Sequence, residues 1–186
     1  MYEIISRETI GLREPKSVSP VNPTYIKGLT VHYTADPYET RLDYIDDVFR
    51  KLKNIQKFHM DDRGWADIGY SFAVSNYNTE IFELRGFDVY SAHSGVTQIN
   101  KTFASVVWLG GQKDLPNDNA KKAIERLQEI MTDKYKRKIM VTGHRDHKST
   151  LCPSASMYEW LTSVEPSWKK KKVNKKRWSR KNYRFL

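Results

Sequence analysis

A chain of 186 residues with a formal charge of +10 and one cysteine is long enough to bury a stable core and has no means of closing an internal disulfide. No stretch approaches the ~18 consecutive apolar residues of a membrane-spanning helix. The opening "MYEIISRETIGLREP" mixes charges with short apolar runs and lacks the pattern of a secretory signal, so the expected folding compartment is a reducing cytoplasm, from which later export needs outside help.

The charge is concentrated at one end. Residues 167–186, "SWKKKKVNKKRWSRKNYRFL", hold ten of the 32 Lys and Arg residues and no acid, which leaves 22 basic against 22 acidic residues in 1–166. The sequence divides on this basis into a neutral globular domain, 1–166, and an appended basic segment, 167–186. Trp168, Trp178, Tyr183 and Phe185 are interleaved with the cations. Placed at ~100° per residue they spread around a helix, which argues against a membrane-surface helix; the ten cations make the segment polyanion-seeking, either as a targeting element or as a disordered solubilising tail that binds nonspecifically.

In chain order, "IKGLTVHY" (26–33) follows the Pro-rich "SVSPVNPT" and is a β-branched apolar run suited to an internal strand. Leu42, Ile45, Phe49, Leu52, Ile55 and Phe58 then recur every three or four residues and predict an amphipathic helix, with Thr40 and Asp43 spaced as a capping box at its start. "IGYSFAV" (68–74) and "TEIFEL" (79–84) predict a hairpin closed by "SNYN". "ASVVWLGG" (104–111) is a further buried strand. A second helix carries Ala120, Ala123, Ile124, Leu127, Ile130 and Met131 on one face, and "KIMVTG" (138–143) returns as a strand. Alternating strands and helices place the chain in the α/β class, or mixed α+β: a single domain with a central, mixed, mostly buried sheet flanked by helices.

Three histidines stand where these strands end: His32 in "TVHYTA", His93 in "SAHSG" and His144 in "TGHRD". Strand ends hold a backbone still while the side chain opens onto a cleft. Cys152 follows His144 by eight residues, enough for the loop to fold back and bring sulfur to imidazole. Two imidazoles and a thiolate suit Zn²⁺ with a fourth position left for water. The same residues also fit hydrogen-bonded structural histidines, a buried apolar cysteine, or a Cys–His nucleophilic pair, and periodicity does not choose among these.

"IISRETIGLREPKSVSP", "GLTVHYTA", "QKFHMDDRGWADIGYSFAV", "FELRGFDVYSAHS" and "VTGHRDHKSTLCPS", in this order and spacing, resemble the peptidoglycan-recognition-protein-like zinc amidases. These are N-acetylmuramoyl-L-alanine amidases, a group that includes many bacteriophage endolysins. The resemblance runs from about residue 3 to "EPSW" at 165–168. It implies that His32, His144 and Cys152 bind one zinc ion in a cleft at the strand ends, and that Tyr70 is the catalytic tyrosine beside it. Thr150 takes a place where relatives carry lysine or threonine as a second polarising group. His93 matches a cleft histidine near substrate, and Trp65, Arg85 and Asn100 fall in matched segments as further substrate residues. Trp65 equally suits core packing, Arg85 a structural partner, and Asn100 the orienting of the loop that carries His93. His59 and His147 are expected to be structural or solvent-exposed.

The implied substrate bond is the amide between the lactyl group of N-acetylmuramic acid and L-alanine. Zinc acts there as Lewis acid and activator of water, and activity is expected to fail at acidic pH because the ligands must be deprotonated. The resemblance also implies a monomer made in the host cytoplasm that acts on the cell wall after release. Its basic segment would then contact anionic envelope polymers or lipids, and nucleic acid only nonspecifically. A recognition-only module and a nucleic-acid-binding regulator are the competing classes. Departures from the family pattern are Ile10 and Leu12 in "TIGLRE", Ser71 after the tyrosine, and Ser154 where "CPG" is usual.

Overall fold

The computed structural model describes residues 4–37 and 40–163; the basic segment 167–186 lies outside the described residues. Its framework is one six-stranded sheet in the order β1-β4-β3-β5-β2-β6. The strands are β1 (Ile4–Ile5), β2 (Gly28–Tyr33), β3 (Phe72–Val74), β4 (Ile81–Glu83), β5 (Phe103–Trp108) and β6 (Met140–Gly143). Every neighbouring pair is parallel except the β3–β4 hairpin. Helices α1 (Arg7–Ile10), α2 (Ile45–Lys57), α3 (Thr97–Thr102), α4 (Asp118–Tyr135) and α5 (Ala155–Thr162) complete a single α/β domain with helices on both faces of the sheet. Among the described residues no helix is long and apolar enough to cross a membrane.

Strand alternation builds two unlike faces. Leu29, Val31 and Tyr33 of β2 and Ala104, Val106 and Trp108 of β5 form one core with Ala120, Ala123, Ile124, Leu127 and Met131 of α4. Across the sheet, Ala73, Phe82 and Val107 pack with Val48 and Leu52 of α2 and with Ile10 and Leu12. All six residues of β2 are buried, which is why that strand reads as a continuous apolar run.

Several boundaries differ from the sequence reading, each for a local reason. The strand expected over 68–74 pairs only at Phe72–Val74, so Tyr70 stands in the loop that enters the sheet. The helix expected from Leu42 begins at Ile45, because Asp47 reaches back to accept the N–H groups of Asp43 (3.1 Å) and Tyr44 (3.0 Å). Thr40 is engaged elsewhere, its N–H donating to the Asp114 carboxylate at 3.1 Å. Phe58, expected on the apolar face, is 44% exposed. Beyond Lys57 the helix widens into a π-turn, Phe58–Asp62, which carries His59 and Met60 inward instead. The short elements β1, α1, α3 and α5 carry too few residues to show a period in the sequence.

Candidate metal centre

The cleft opens on the α2 side of the sheet, over β2. His32 is the fifth residue of that strand, 1% exposed. Its partner in the parallel register of β5 is Val107. β6, on the other flank of β2, ends at Gly143, and the chain turns at once into a tight 3-10 turn, His144–Asp146, that starts with the second imidazole. The loop then folds back: the Arg145 N–H donates to the Cys152 carbonyl at 3.0 Å. This turn brings the thiol beside β2, where its sulfur lies 3.5 Å from His32 Nδ1.

The donor atoms of His32, His144 and Cys152 all lie within 4.8 Å of one another, the one such group among the described residues. A nitrogen and a sulfur bound at ~2.1 and ~2.3 Å to a tetrahedral Zn²⁺ stand ~3.6 Å apart, so the 3.5 Å contact fits a zinc pair. Their protonation fits as well. Burial holds His32 well below the usual imidazole range, with His93 and His144 adding to the effect. Burial also lowers His144, partly offset by the Ser94 carbonyl. Both imidazoles therefore offer lone pairs at neutral pH. Burial pushes the Cys152 thiol up to about 11, against the pull of the Tyr33 backbone and Arg145. The set is uncharged by itself, and a dication is the partner that draws the thiol to thiolate.

The second nitrogen of each imidazole is engaged. His144 Nε2 lies 3.0 Å from the Ser94 carbonyl, and His32 Nε2 lies 2.9 Å from His93 Nδ1. His93 is thus turned onto His32, and 8% of it is exposed. The Tyr70 ring centre is 5.3 Å from that of His32. Burial, and then the neighbouring Cys152, raise its phenol far above the ordinary range, so it remains a neutral hydrogen-bond donor.

The remaining predicted residues surround this group in different capacities. The Thr150 hydroxyl accepts the Cys152 N–H at 3.2 Å, holding the ligand loop while keeping its own proton to donate. Asn100 is 6% exposed and binds the Ser94 N–H (2.9 Å), the Ser94 hydroxyl (2.7 Å) and the Tyr90 hydroxyl (3.1 Å). It therefore fixes the loop that carries His93. Arg85 spends its guanidinium on the carbonyls of Ile68, Tyr90 and Asp67 at 2.6, 2.9 and 3.0 Å. That binds the loop before β3 to the segment beyond β4, and the structural alternative for Arg85 is the geometry observed. Trp65 stacks on His59 with ring centres 4.6 Å apart and blocks the space a Cβ on Gly69 would need, its ring 2.8 Å away. His59 accepts the Gly69 N–H, and His147 contacts the hydroxyl of Thr142.

Two departures from the family pattern find local compensation. Ser71, Ser91 and Ser105 form a buried ring of hydroxyls at 3.1–3.4 Å, and Ser71 and Ser105 exchange backbone N–H bonds with each other's hydroxyls. Ser154 sits at φ 87°, where glycine is favoured, and its hydroxyl offsets the strain by capping α5 at the Met157 N–H. The sequence reading missed the roles of Ser91 and Ser94; only their position beside His93 in "YSAHSG" marked them.

Comparisons with known proteins identify relatives of this chain. The N-acetylmuramoyl-L-alanine amidase family (Amidase_2) matches residues 22–155. Peptidoglycan-recognition protein SC2 of Drosophila simulans is 30% identical over 172 residues, covering 89% of this chain and 88% of its own length. Peptidoglycan recognition protein 1 of Bos indicus is 31% identical over 117 residues, or 59% of this chain and 58% of that protein. Among solved structures, wild-type Drosophila PGRP-LB superposes with a TM-score of 0.79 at 27% identity, covering 88% of this chain and 94% of its own. A tyrosine-to-phenylalanine mutant of the same protein in complex with tracheal cytotoxin gives 0.78 at 26% identity, covering 88% and 95%. The chain belongs to the N-acetylmuramoyl-L-alanine amidase family, in its peptidoglycan-recognition-protein-like form.

Proposed function

We propose that this protein is a zinc-dependent amidase that hydrolyses the bond between N-acetylmuramic acid and L-alanine in peptidoglycan. The observation that carries the reading is the cluster of His32, His144 and Cys152 with donor atoms within 4.8 Å and a tyrosine beside it. Bound in that set, zinc supplies Lewis-acid polarisation and an activated water, the two things amide hydrolysis lacks in solution. The protein's own residues supply the rest. Tyr70 keeps its phenolic proton and donates it as a hydrogen bond to the oxygen that gains charge when the scissile carbonyl is attacked. The Thr150 hydroxyl anchors the Cys152 loop and offers a second, weaker donor. Arg85 and Asn100 hold the surrounding loops, and half-buried Trp65 borders the same region through His59, whose ring centre is 5.9 Å from that of Tyr70.

A module that only recognises peptidoglycan needs neither a third metal donor nor a protonated phenol beside it, and both are present. Turnover of a soluble N-acetylmuramoyl-L-alanine peptide, followed by amine release, tests the reading: it should stop with a chelator and return with zinc. Within this function we assign the protein to the wall-lytic enzymes of bacteriophage endolysin type, monomeric, made in the host cytoplasm and acting on the wall after release. The ten cations of 167–186 support attraction to anionic envelope polymers or lipids. Removing 167–186 should spare the soluble substrate and slow lysis of intact cells, with salt mimicking the deletion; equal lysis by both forms would remove that role.

A further inference from the structure

We propose that the segment from Ser91 to Val96 is one orienting clamp for both imidazole ligands, with His93 as a positioning residue within it. The proposal rests on the zinc reading and adds to it a reason for the loop's construction. A carbonyl oxygen only accepts, so the 3.0 Å contact to Ser94 puts the proton of His144 on Nε2 and leaves Nδ1 for the metal set. His32 turns Nδ1 to the sulfur, so its Nε2 carries the proton and His93 Nδ1 accepts it at 2.9 Å. Adjacent residues of one loop thereby fix the tautomer and the ring direction of two ligands, one on β2 and one in the turn after β6.

That assignment leaves the last proton of His93 on Nε2, which is buried, and the Phe103 backbone interacts with the same ring. The clamp is held at both ends. Ser91 joins the hydroxyl ring with Ser71 and Ser105 and accepts the His93 N–H on its carbonyl at 3.0 Å. Ser94 is bound twice by Asn100 and accepts the Val96 N–H on its hydroxyl at 3.0 Å. Both acceptors offered to the ligands are uncharged, so the clamp orients the imidazoles without drawing off the positive character of the site.

The test is zinc affinity of the full chain, by competition with a chromogenic chelator, with the visible spectrum of the cobalt(II)-loaded protein and the thermal stability of the metal-free protein recorded beside it. His93→Leu fills the space and removes the acceptor: zinc affinity should fall about 10–100-fold with a changed cobalt spectrum. His93→Asn keeps an acceptor near the Nδ1 position and should recover most of the loss, and Asn100→Ala should weaken zinc in the same direction as His93→Leu. Zinc bound as tightly by His93→Leu as by the unaltered chain would overturn the clamp alone. So would equal losses in His93→Leu and His93→Asn that track a fall in metal-free stability. Failure of the unaltered chain to bind zinc or cobalt would overturn the zinc reading and the clamp with it.

Discussion

On the α4 side of the sheet, β2 and β5 present Leu29, Val31, Tyr33, Ala104, Val106 and Trp108, while the same two strands present Thr30, His32 and Ser105 on the side where the cleft opens. Both sets are almost wholly buried: Thr30 and Ser105 are 0% exposed, as are Leu29 and Val106. The apolar side stabilises by area removed from water. The polar side is tolerated because each hydroxyl and imidazole meets a partner, as in the ring of Ser71, Ser91 and Ser105. Along β2 and β5 the α4 side is thus wholly apolar, while the cleft side holds the candidate chemistry beside the second core of Val48, Leu52 and Val107, and substitutions on the α4 side should leave the metal set intact.

The largest effect is expected on the apolar side. Leu127→Ala, at a fully buried position of α4, should cost about 2–5 kcal/mol of stability by opening a cavity, read as a lower denaturant midpoint with zinc affinity unchanged. A matching loss of zinc affinity would break the division. Tyr70→Phe is the converse on the cleft side. Loss of one oxyanion donor is worth ~2.7–4 kcal/mol, so kcat should drop by a hundredfold or more while the midpoint and zinc affinity hold. Retained turnover in Tyr70→Phe would remove the phenol from the chemistry.

A smaller effect sharpens the comparison within the polar side. His59 is lowered to about 4, chiefly by burial and then by Arg85 and Arg63, and its Nδ1 accepts the Gly69 N–H. Its folded pKa lies below the unfolded value of ~6.5, so its contribution to stability is full above that value and is lost as pH falls from there toward 4. Allowing for its partial access to solvent, the loss is about 1–2 kcal/mol. His59→Asn, which keeps an acceptor for Gly69, should flatten the melting temperature over that pH range, and an unchanged slope would assign the acid sensitivity elsewhere.

Much of this division was legible in the sequence, and its gaps have physical causes. β2 and α4 could be placed because period and apolar content agree over many residues, and His32 could be placed because a strand end is a fixed point. Tyr70 could be named from its motif but not located outside β3, since a residue entering a sheet reads like one within it. The turn of His93 onto His32 depends on how a loop folds over the sheet, 61 residues away in the chain. No spacing encodes that. The inward rotation of His59 needed a π-turn, which shifts the face of a helix by one residue and leaves no signature in composition. The three guanidinium bonds of Arg85 to carbonyls belong to backbone geometry, which a side-chain pattern does not report.

The central claim is that the set of His32, His144 and Cys152 cuts the bond between glycan and stem peptide with zinc. The most direct measurement is mass spectrometry of purified peptidoglycan digested by the zinc-loaded chain, by the same chain in EDTA, by the EDTA sample resupplied with zinc, and by Cys152→Ser. Intact stem peptides with new L-alanine amino termini are predicted from the first and third samples and none from the second and fourth. Glycan and stem still joined after incubation with the zinc-loaded chain, while the protein remains bound to the wall, would contradict the claim and leave recognition without cleavage.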